Sequence, residues 1–270
     1  MTFLENFRWG QFVPQQSIVH RLDPRTKILM ILAPVVFAAF TLNLFVYIIF
    51  LGYLLAIFCL SRLPFVVLIK NLRTFVWFFV LIFILQLVFT SAFFEIVFSF
   101  GFFHLSSKGF LNGLIYSLRL MVFIMGAVVL SLTTSPMDLT DGLVNSFSWL
   151  KKFKVPVQEL GLVAMISLRF VPLLVEEAFN LRKAQLSRGA SFQGNFIQRI
   201  RKTMPLLIPL FVSSFRRADE LALALDARGF RSGQERSSYR MLRFDRTDLI
   251  FLGVILLLMI LCFLITGMSR

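Results

Sequence analysis

Residues 157–188 read VQELGLVAMISLRFVPLLVEEAFNLRKAQLSR, and after the break GASFQGN residues 196–228 follow the same plan. Neither stretch alternates like a strand, so each predicts one long helix, about 48 Å at ~1.5 Å per residue, with a bend expected near Pro172. Both helices are apolar nearly all round in their first half and polar on most faces in their second half. This gradient predicts that each helix is embedded at its start and reaches water at its end.

The two helices end alike, in AQLSRGA at 184–190 and ALALDARGF at 222–230. Glycine is the usual residue after a helix because it adopts positive φ, and a cation suits the negative end of the helix dipole. Two exposed guanidinium groups on long helices would equally suit docking onto paired acidic grooves of a dimeric partner. From the residues alone, capping and docking stay open for Arg188 and Arg228.

The composition around these helices is that of an integral membrane protein. Hydrophobic residues make up 58% of the 270 residues, 34 of them are phenylalanine, and charged residues contribute only 16%. This exceeds what a soluble core of this length buries. Cys59 and Cys262 lie in apolar runs, so we expect neither a disulfide nor a thiolate metal site. The N-terminus lacks the apolar core and cleavage site of a removable signal peptide.

Apolar runs long enough to cross about 30 Å of hydrocarbon occur at 75–94, 109–132 and 247–267. The run 28–60 is too long for one crossing, and TLN at 41–43 predicts a turn between two shorter spans. Residues 61–73 mix cations with an apolar face, so we expect them to lie at the interface before the next span. The fold class predicted is all-α, with about five transmembrane helices.

The basic residues indicate sidedness. Of 28 Lys and Arg, 18 lie in 133–248, and basic segments alternate with neutral ones along the chain. The positive-inside rule then places the N-terminus and the 133–246 region in the cytoplasm. Topology explains most of the net charge of +14, so we expect no nucleic-acid partner.

At the two helix ends the chain resembles the transmembrane T component of energy-coupling factor (ECF) transporters, which are bacterial importers of vitamins and trace metals. That family carries paired Ala-Arg-Gly signatures. Here they correspond to Ser187, Arg188, Gly189 and to Ala227, Arg228, Gly229, with serine replacing the first alanine. Further similar stretches span almost the whole chain: HRLDPRTK at 20–27, TSPMDLTDGL at 134–143, LRFVPLLVEEAFNLRKAQ at 168–185 and RRADELALALDARGF at 216–230.

The resemblance implies a mechanism. The two long helices would be coupling helices whose Arg-Gly ends sit in grooves of two ATP-binding cassette ATPase subunits, in a heterotetramer. Their embedded portions would hold a membrane S component, dedicated or exchangeable, that binds the substrate. It implies N-terminal transmembrane helices in 1–132, a coupling region in 133–246, a C-terminal span in 247–270 and a bacterial plasma-membrane location. The motif style leans toward a T component shared by several S components.

Other candidate sites carry less weight. The chain has no GxxxxGK[ST] loop, so ATP hydrolysis would belong to a partner, and we expect no catalytic residue, cofactor or enzymatic activity. Neither His20 nor His104 is accompanied by other residues in a metal-binding pattern, so no metal site is expected. The carboxylate pairs 176–177 and 219–220 have cations at helical spacing, Glu177 with Arg182 or Asp219 with Arg216, which favours intrahelical or interhelical ion pairing over acid–base chemistry.

Two points stay open at this level. RLDPRTK at 21–27 favours anchoring at the membrane surface over a binding role. Arg119 lies inside a span and needs a partner, for which Glu95 or an S component are candidates. Two other classes of protein fit less well. A membrane-embedded lipid enzyme needs a polar cluster that cannot be assembled here, and a self-contained carrier needs polar or broken helices at mid-membrane, whereas these spans are nearly featureless apart from Arg119 and Gln86.

Overall fold

The computed structural model describes residues 13, 15–91, 98–100, 103–105, 107–192, 194–231 and 244–268. The chain divides into two compact units. The first comprises Met1–Asn145 with Met241–Arg270, and the second comprises Ser146–Arg240.

In its described residues the first unit is helical apart from one short two-stranded ribbon. Its elements are α1 (Ile18–Arg21), α2 (Pro24–Phe40), α3 (Leu44–Leu60), α4 (Phe65–Ser91), β1 (Phe98–Phe100), β2 (Phe103–Leu105), α5 (Ser107–Thr133), α6 (Pro136–Ser146) and α9 (Arg246–Met268). The strands pair antiparallel, with Phe98 opposite Leu105. The predicted all-α membrane class is confirmed, and the ribbon is an addition that the sequence analysis did not foresee.

Among the described residues, three helices are long and apolar enough to cross a membrane: Phe65–Phe89, Lys108–Thr133 and Arg246–Gly267. The predicted hairpin is also confirmed, because α2 and α3 are separated by the turn 41–43. Asn43 caps α3 by accepting a hydrogen bond from the Phe45 backbone. Both hairpin helices have 17 residues, the lower limit of about 17–25 residues for a crossing. A total of five crossings stays a prediction.

The expectation of a separate interfacial segment at 61–73 is wrong for most of its length. Residues from Phe65 onward belong to α4, which runs without interruption to Ser91. Lys70 and Arg73 lower the hydropathy of the first turns of α4. For this reason the sequence predicted a span that starts at residue 75, ten residues after the helix begins. Pro64 precedes the helix, where the missing proline N–H removes no helical hydrogen bond.

Helix α5 is the central helix of the first unit and packs against α2, α3 and α4. Its core-facing residues include Val122, Val129 and Leu132, all fully buried. Close approach is needed at Gly126, where a Cβ would lie 3.1 Å from the Ile31 side chain on α2. The middle of the unit is therefore built around α5, and this helix also carries Arg119.

Arg119 has partners inside the first unit. Its Nε donates to the Tyr47 hydroxyl at 2.9 Å, and its Nη2 donates to the Thr41 carbonyl at 2.8 Å. The guanidinium also lies 4.9 Å from the Tyr116 ring centroid. Arg119 therefore ties α5 to the turn between α2 and α3. Glu95, the partner considered from sequence, lies outside the described residues.

The segment 20–27 makes polar contacts inside the first unit and does not serve only as a surface anchor. Lys27 is only 5% exposed, and its Nζ donates to the carbonyls of His20, at 2.9 Å, and Thr133, at 3.2 Å. Thr133 ends α5, so this ammonium satisfies a carbonyl that has no partner within its own helix. The His20 ring bonds to the Ser17 hydroxyl and the Val13 carbonyl. The expected surface anchoring is thus corrected for Lys27.

A buried carboxylate joins the starts of α2 and α9. Asp248 is 1% exposed, and its two oxygens accept hydrogen bonds from the Asp23 and Asp245 backbone amides at 3.0 and 2.9 Å. Asp23 in turn caps α2 by accepting from the Arg25 amide. The C-terminal helix α9 is therefore hydrogen-bonded to the residue that precedes α2, the first long helix of the chain.

The TSPMDLTDGL stretch forms a capped helix pressed against α2. The Ser135 hydroxyl accepts from the Asp138 backbone amide and donates to the Asp138 carboxylate, and these bonds cap the start of α6. A Cβ on Gly142 would lie 2.9 Å from the Pro24 Cβ. Only glycine therefore fits between α6 and the start of α2 without displacing one of them.

The second unit contains a 3-10 helix (Ser148–Phe153) and two long helices, α7 (Val157–Ser187) and α8 (Phe196–Ala227). The two helices predicted from the sequence are confirmed, each within one residue of its expected end. Both run through their internal prolines at 172, 205 and 209.

Candidate functional site

The site residues predicted from the sequence lie at the last turns of α7 and α8. Arg188 is the C-cap of α7, and Gly189 follows it with φ of +84°. The Ala190 N–H donates to the Gln185 carbonyl at 3.0 Å, and the Gly189 N–H donates to the Leu186 carbonyl at 3.0 Å. This pair of bonds defines a Schellman cap, which satisfies carbonyls left over at the helix end.

The end of α8 has the same geometry. Arg228 is the C-cap, and Gly229 has φ of +73°. The Phe230 N–H donates to the Leu225 carbonyl at 2.9 Å, and the Gly229 N–H donates to the Asp226 carbonyl at 2.8 Å. The prediction that the glycines are caps is confirmed at both ends.

The arginines are presented alike. Arg188 has φ −87° and ψ 9°, and Arg228 has φ −85° and ψ 6°. Both are exposed, and their guanidinium groups form no ion pair or hydrogen bond with the part of the chain that the structure describes. Helix capping explains why glycine follows each helix, and it involves only the backbone of the two arginines. The two positive side chains stay available in equivalent positions.

The serine that departs from the Ala-Arg-Gly pattern adds no free polar group. The Ser187 hydroxyl donates to the Lys183 carbonyl at 3.1 Å, within α7. Ala227 occupies the same position in α8. Both positions are exposed and small, so the two signatures have the same local shape.

The two helices contact each other at equivalent points. Arg217 Nη2 on α8 lies 2.9 Å from Glu177 Oε2 on α7, with the side chains 39% and 22% exposed. Both residues stand eleven positions before the arginine that ends their helix. The expectation that Glu177 is used for ion pairing is confirmed, but its partner is on the other helix. Arg182, the partner named from sequence, lies over the Phe192 ring at 5.5 Å.

Sequence reasoning missed this crossing contact, although an internal repeat points to it. Shifting the chain by forty residues places Ala178 on Ala218, Leu181 on Leu221 and Ala184 on Ala224, and brings the two Arg-Gly pairs into register. In that register Glu177 falls on Arg217. Opposite charges at one position of a repeat indicate a contact between the copies.

Large apolar side chains stay exposed in the first two-thirds of both helices. On α7 they include Leu160 and Val163, and on α8 they form a continuous face of Leu207, Ile208, Phe211, Val212 and Phe215. Phe215 is 69% exposed and Ile208 is 70% exposed. A contiguous apolar face of this kind marks contact with another protein or with lipid.

An all-helical membrane protein with two matching, glycine-capped helix ends is the class that the fold and the site define. A family model described as CbiQ, cobalt transport protein, matches residues 15–239. The chain is 40% identical to the energy-coupling factor transporter transmembrane protein EcfT of Bacillus subtilis (strain 168) over 257 residues, 94% of this chain and 97% of that protein.

Other relatives agree over even more of the chain. The protein of the same name from Lactococcus lactis subsp. cremoris (strain MG1363) is 37% identical over 267 residues, 98% of this chain and all of that protein. The one from Brevibacillus brevis is 38% identical over 268 residues, 99% of each. The chain belongs to this family of ECF transporter T components.

Proposed function

We propose that this chain is the coupling subunit of an ECF-type ABC importer. In this role it transmits the ATP-driven motion of two ATPase subunits to a separate S component, which binds the vitamin or other micronutrient. The observation that carries the proposal is the matched pair of helix ends, Arg188-Gly189 and Arg228-Gly229, with identical caps and free guanidinium groups.

Docking of the ATPases is the first part of the proposal. An arginine presents a planar fork of donors that binds a carboxylate through two hydrogen bonds, so a pair of acidic grooves is the matching acceptor. The negative end of each helix dipole favours a cation at this position, and the guanidinium group can still bind a partner. Two equivalent ends suit a homodimer or a pseudo-symmetric heterodimer of ATPases.

ATP hydrolysis belongs to those partners. The sequence contains no phosphate-binding GxxxxGK[ST] loop, so the chain is a non-catalytic subunit. The exposed apolar faces of α7 and α8 are the surface on which we place the S component. Substrate selectivity then lies in that other chain.

The proposed setting is the bacterial plasma membrane, with the N-terminus and residues 133–246 on the cytoplasmic side. The concentration of Lys and Arg in 133–248 supports this orientation. Helices α7 and α8 would be embedded at their starts, with their Arg-Gly ends reaching the ATPases.

Affinity purification from native membranes tests the proposal. The full chain carrying Arg188→Ala and Arg228→Ala is solubilised in mild detergent, and the co-purifying proteins are identified by mass spectrometry. The wild-type chain is expected to retain two ATP-binding subunits and a small hydrophobic subunit. The double variant is expected to lose the ATP-binding subunits, to keep the hydrophobic one and to abolish ATP-dependent uptake.

The matched control removes two cations from the same helices. Lys183→Ala with Arg216→Ala changes exposed residues of α7 and α8 away from the capped ends. This control is expected to retain the ATPases. Equal retention by both double variants, or recovery of the wild-type chain as a homo-oligomer with full transport activity, contradicts the proposal.

A further inference from the structure

The end of the α2–α3 hairpin opposite its turn carries an open groove of about 360 Å³. Residues before α2 and at the end of α3 line it: Gln16, Ser17, Ile18, Arg21, Cys59, Leu60 and Arg62. The lining therefore contains two arginines and no carboxylate. Within the described residues, neither Arg21 nor Arg62 forms an ion pair or a side-chain hydrogen bond, and both are exposed.

The backbone at Arg62 is unusual. Arg62 follows the last turn of α3 with φ of +54°, and its N–H donates to the Cys59 carbonyl at 3.0 Å. This is the position that Gly189 and Gly229 occupy after α7 and α8. An L-residue in this region costs about 1–2 kcal/mol relative to the ordinary helical region, and glycine avoids that cost. A strained arginine beside a groove is a reason to look for a use of its side chain.

The apolar surroundings of the groove are those of a lipid-facing surface. Ile18 and Leu60, which line it, are 55% and 46% exposed. The next helix begins with Phe65, Val66 and Ile69, which are all more than half exposed. Cations beside exposed apolar side chains at the end of a membrane helix match a phosphate with its acyl chains alongside.

We propose that this groove binds the phosphodiester headgroup of an anionic phospholipid, with Arg21 and Arg62 holding the phosphate. Two guanidinium groups carry one positive charge more than a phosphodiester balances, so the site stays positive and repels the additional cation of a zwitterionic headgroup. Gln16, which also lines the groove, offers an amide to the hydroxyl groups of a glycerol headgroup. The site depends only on the membrane embedding of the chain and is independent of the coupling role of the Arg-Gly ends.

Native mass spectrometry of the full chain tests this site. The protein is equilibrated with mixed micelles containing equal amounts of phosphatidylglycerol and phosphatidylcholine, and the ratio of the two retained lipids is measured. The wild-type chain is expected to retain phosphatidylglycerol preferentially. Arg21→Gln with Arg62→Gln is expected to lower the ratio about five-fold for each arginine removed. The charge-matched control, Lys151→Gln with Lys152→Gln, changes exposed cations elsewhere and is expected to leave the ratio unchanged.

Two further arms separate the alternatives. Arg62→Gly removes the guanidinium and relieves the backbone, so the unfolding temperature is expected to hold or rise while phosphatidylglycerol retention falls. Inorganic phosphate in excess is expected not to displace the lipid, because it has no acyl chains. The proposal is overturned if Arg62→Gly lowers the unfolding temperature, if free phosphate displaces the lipid, or if both double variants lower the ratio equally.

Discussion

Arg217 Nη2 on α8 lies 2.9 Å from Glu177 Oε2 on α7, and both residues precede the capping arginine of their helix by the same eleven positions. At ~1.5 Å per residue each Arg-Gly end stands about 16 Å beyond the crossing. The two helices thus form arms of equal length. A change in the crossing angle displaces both ends by the same amount, and for that reason we predict that this ion pair positions them.

Reversing one charge is expected to loosen the crossing. Lys183→Cys and Leu223→Cys place spin labels at equivalent exposed positions on the two arms. Cys59 and Cys262 are replaced by serine so that only these positions are labelled. Pulsed electron paramagnetic resonance then measures the distance between the arms. Glu177→Arg is expected to broaden the distance distribution, because it faces Arg217 with a like charge. Glu177→Arg with Arg217→Glu is expected to restore it.

The stability change in the same variants is expected to be small. Both side chains are partly exposed, and exposed ion pairs contribute about 0.2–1 kcal/mol. An unfolding temperature that drops strongly in Glu177→Arg, or a distance distribution that the double reversal does not restore, contradicts a positioning role.

The capping glycines give a second prediction. Nothing lies within 4 Å of a Cβ built on Gly189 or Gly229, so alanine there is opposed by the backbone alone. We expect Gly189→Ala to destabilise the last turn of α7 by about 1 kcal/mol, and Gly189→Asn by less, because asparagine tolerates positive φ. Hydrogen exchange at the Ala190 amide measures this opening. Equal protection in the alanine and asparagine variants argues against the left-handed cap.

Local signals predicted much of this architecture. The length of the apolar run and the TLN turn gave the α2–α3 hairpin, and Gly189 and Gly229 gave the helix ends. These signals act over a few residues, so one sequence suffices to find them. The partner of Glu177 was missed because the nearby cation Arg182 is only five residues away, while the actual partner is forty residues along the chain.

Lys27 was missed for a related reason. A lysine in a basic segment before a membrane span is typical of a surface anchor, and nothing nearby in sequence indicates otherwise. Its partner at Thr133 is the end of another helix, and only the packing of α2 against α5 brings the two together. Contacts distant in sequence therefore account for most of what the sequence analysis left open.

Gly142 supplies a packing prediction. Its missing Cβ would lie 2.9 Å from the Pro24 Cβ and 3.3 Å from the Pro24 backbone carbon, and this ring and backbone cannot move cheaply. Gly142→Ala is expected to lower the stability of the detergent-solubilised chain by about 1–3 kcal/mol. Thermal unfolding followed by circular dichroism measures it. The control is Gly52→Ala in α3, where a Cβ meets nothing within 4 Å and the unfolding temperature is expected to hold or rise.

His20 predicts a dependence of stability on pH. Burial, followed by the positive charge of Lys27, lowers the pKa of the His20 imidazole below its usual value of about 6.5. The unfolded chain then binds the proton more readily than the folded one. The stabilisation by the neutral ring is present above about pH 6.5 and is lost as the pH falls from there through the lowered pKa.

Unfolding temperatures across that window check the sign. The wild-type chain is expected to lose stability between neutral and mildly acidic pH, and His20→Gln is expected to lose less over the same range. Parallel curves for the two proteins show that other groups cause the acid sensitivity.

Arg119 and Tyr47 supply the last prediction, because they share hydrogen-bonding partners in the α2–α3 turn. Arg119 Nη2 donates to the Thr41 carbonyl at 2.8 Å and Arg119 Nε donates to the Tyr47 hydroxyl. The single proton of that hydroxyl is shared between the carbonyls of Thr41 and Ala38. The hairpin helices have 17 residues, about 25 Å at ~1.5 Å per residue, so the turn lies short of a full 30 Å hydrocarbon thickness. A backbone carbonyl there needs a donor from the protein.

Each donor covers part of the loss of the other, so the effects of removing them are expected to be non-additive. Arg119→Met and Tyr47→Phe are each expected to cost about 1–2 kcal/mol, in the range of single hydrogen bonds between membrane helices. The double variant is expected to cost more than their sum, because it leaves the Thr41 carbonyl without either donor. Thermal unfolding of the four proteins in one detergent closes the cycle. Strict additivity of the two effects would mean that the two side chains stabilise the hairpin independently, which contradicts the shared role proposed for them.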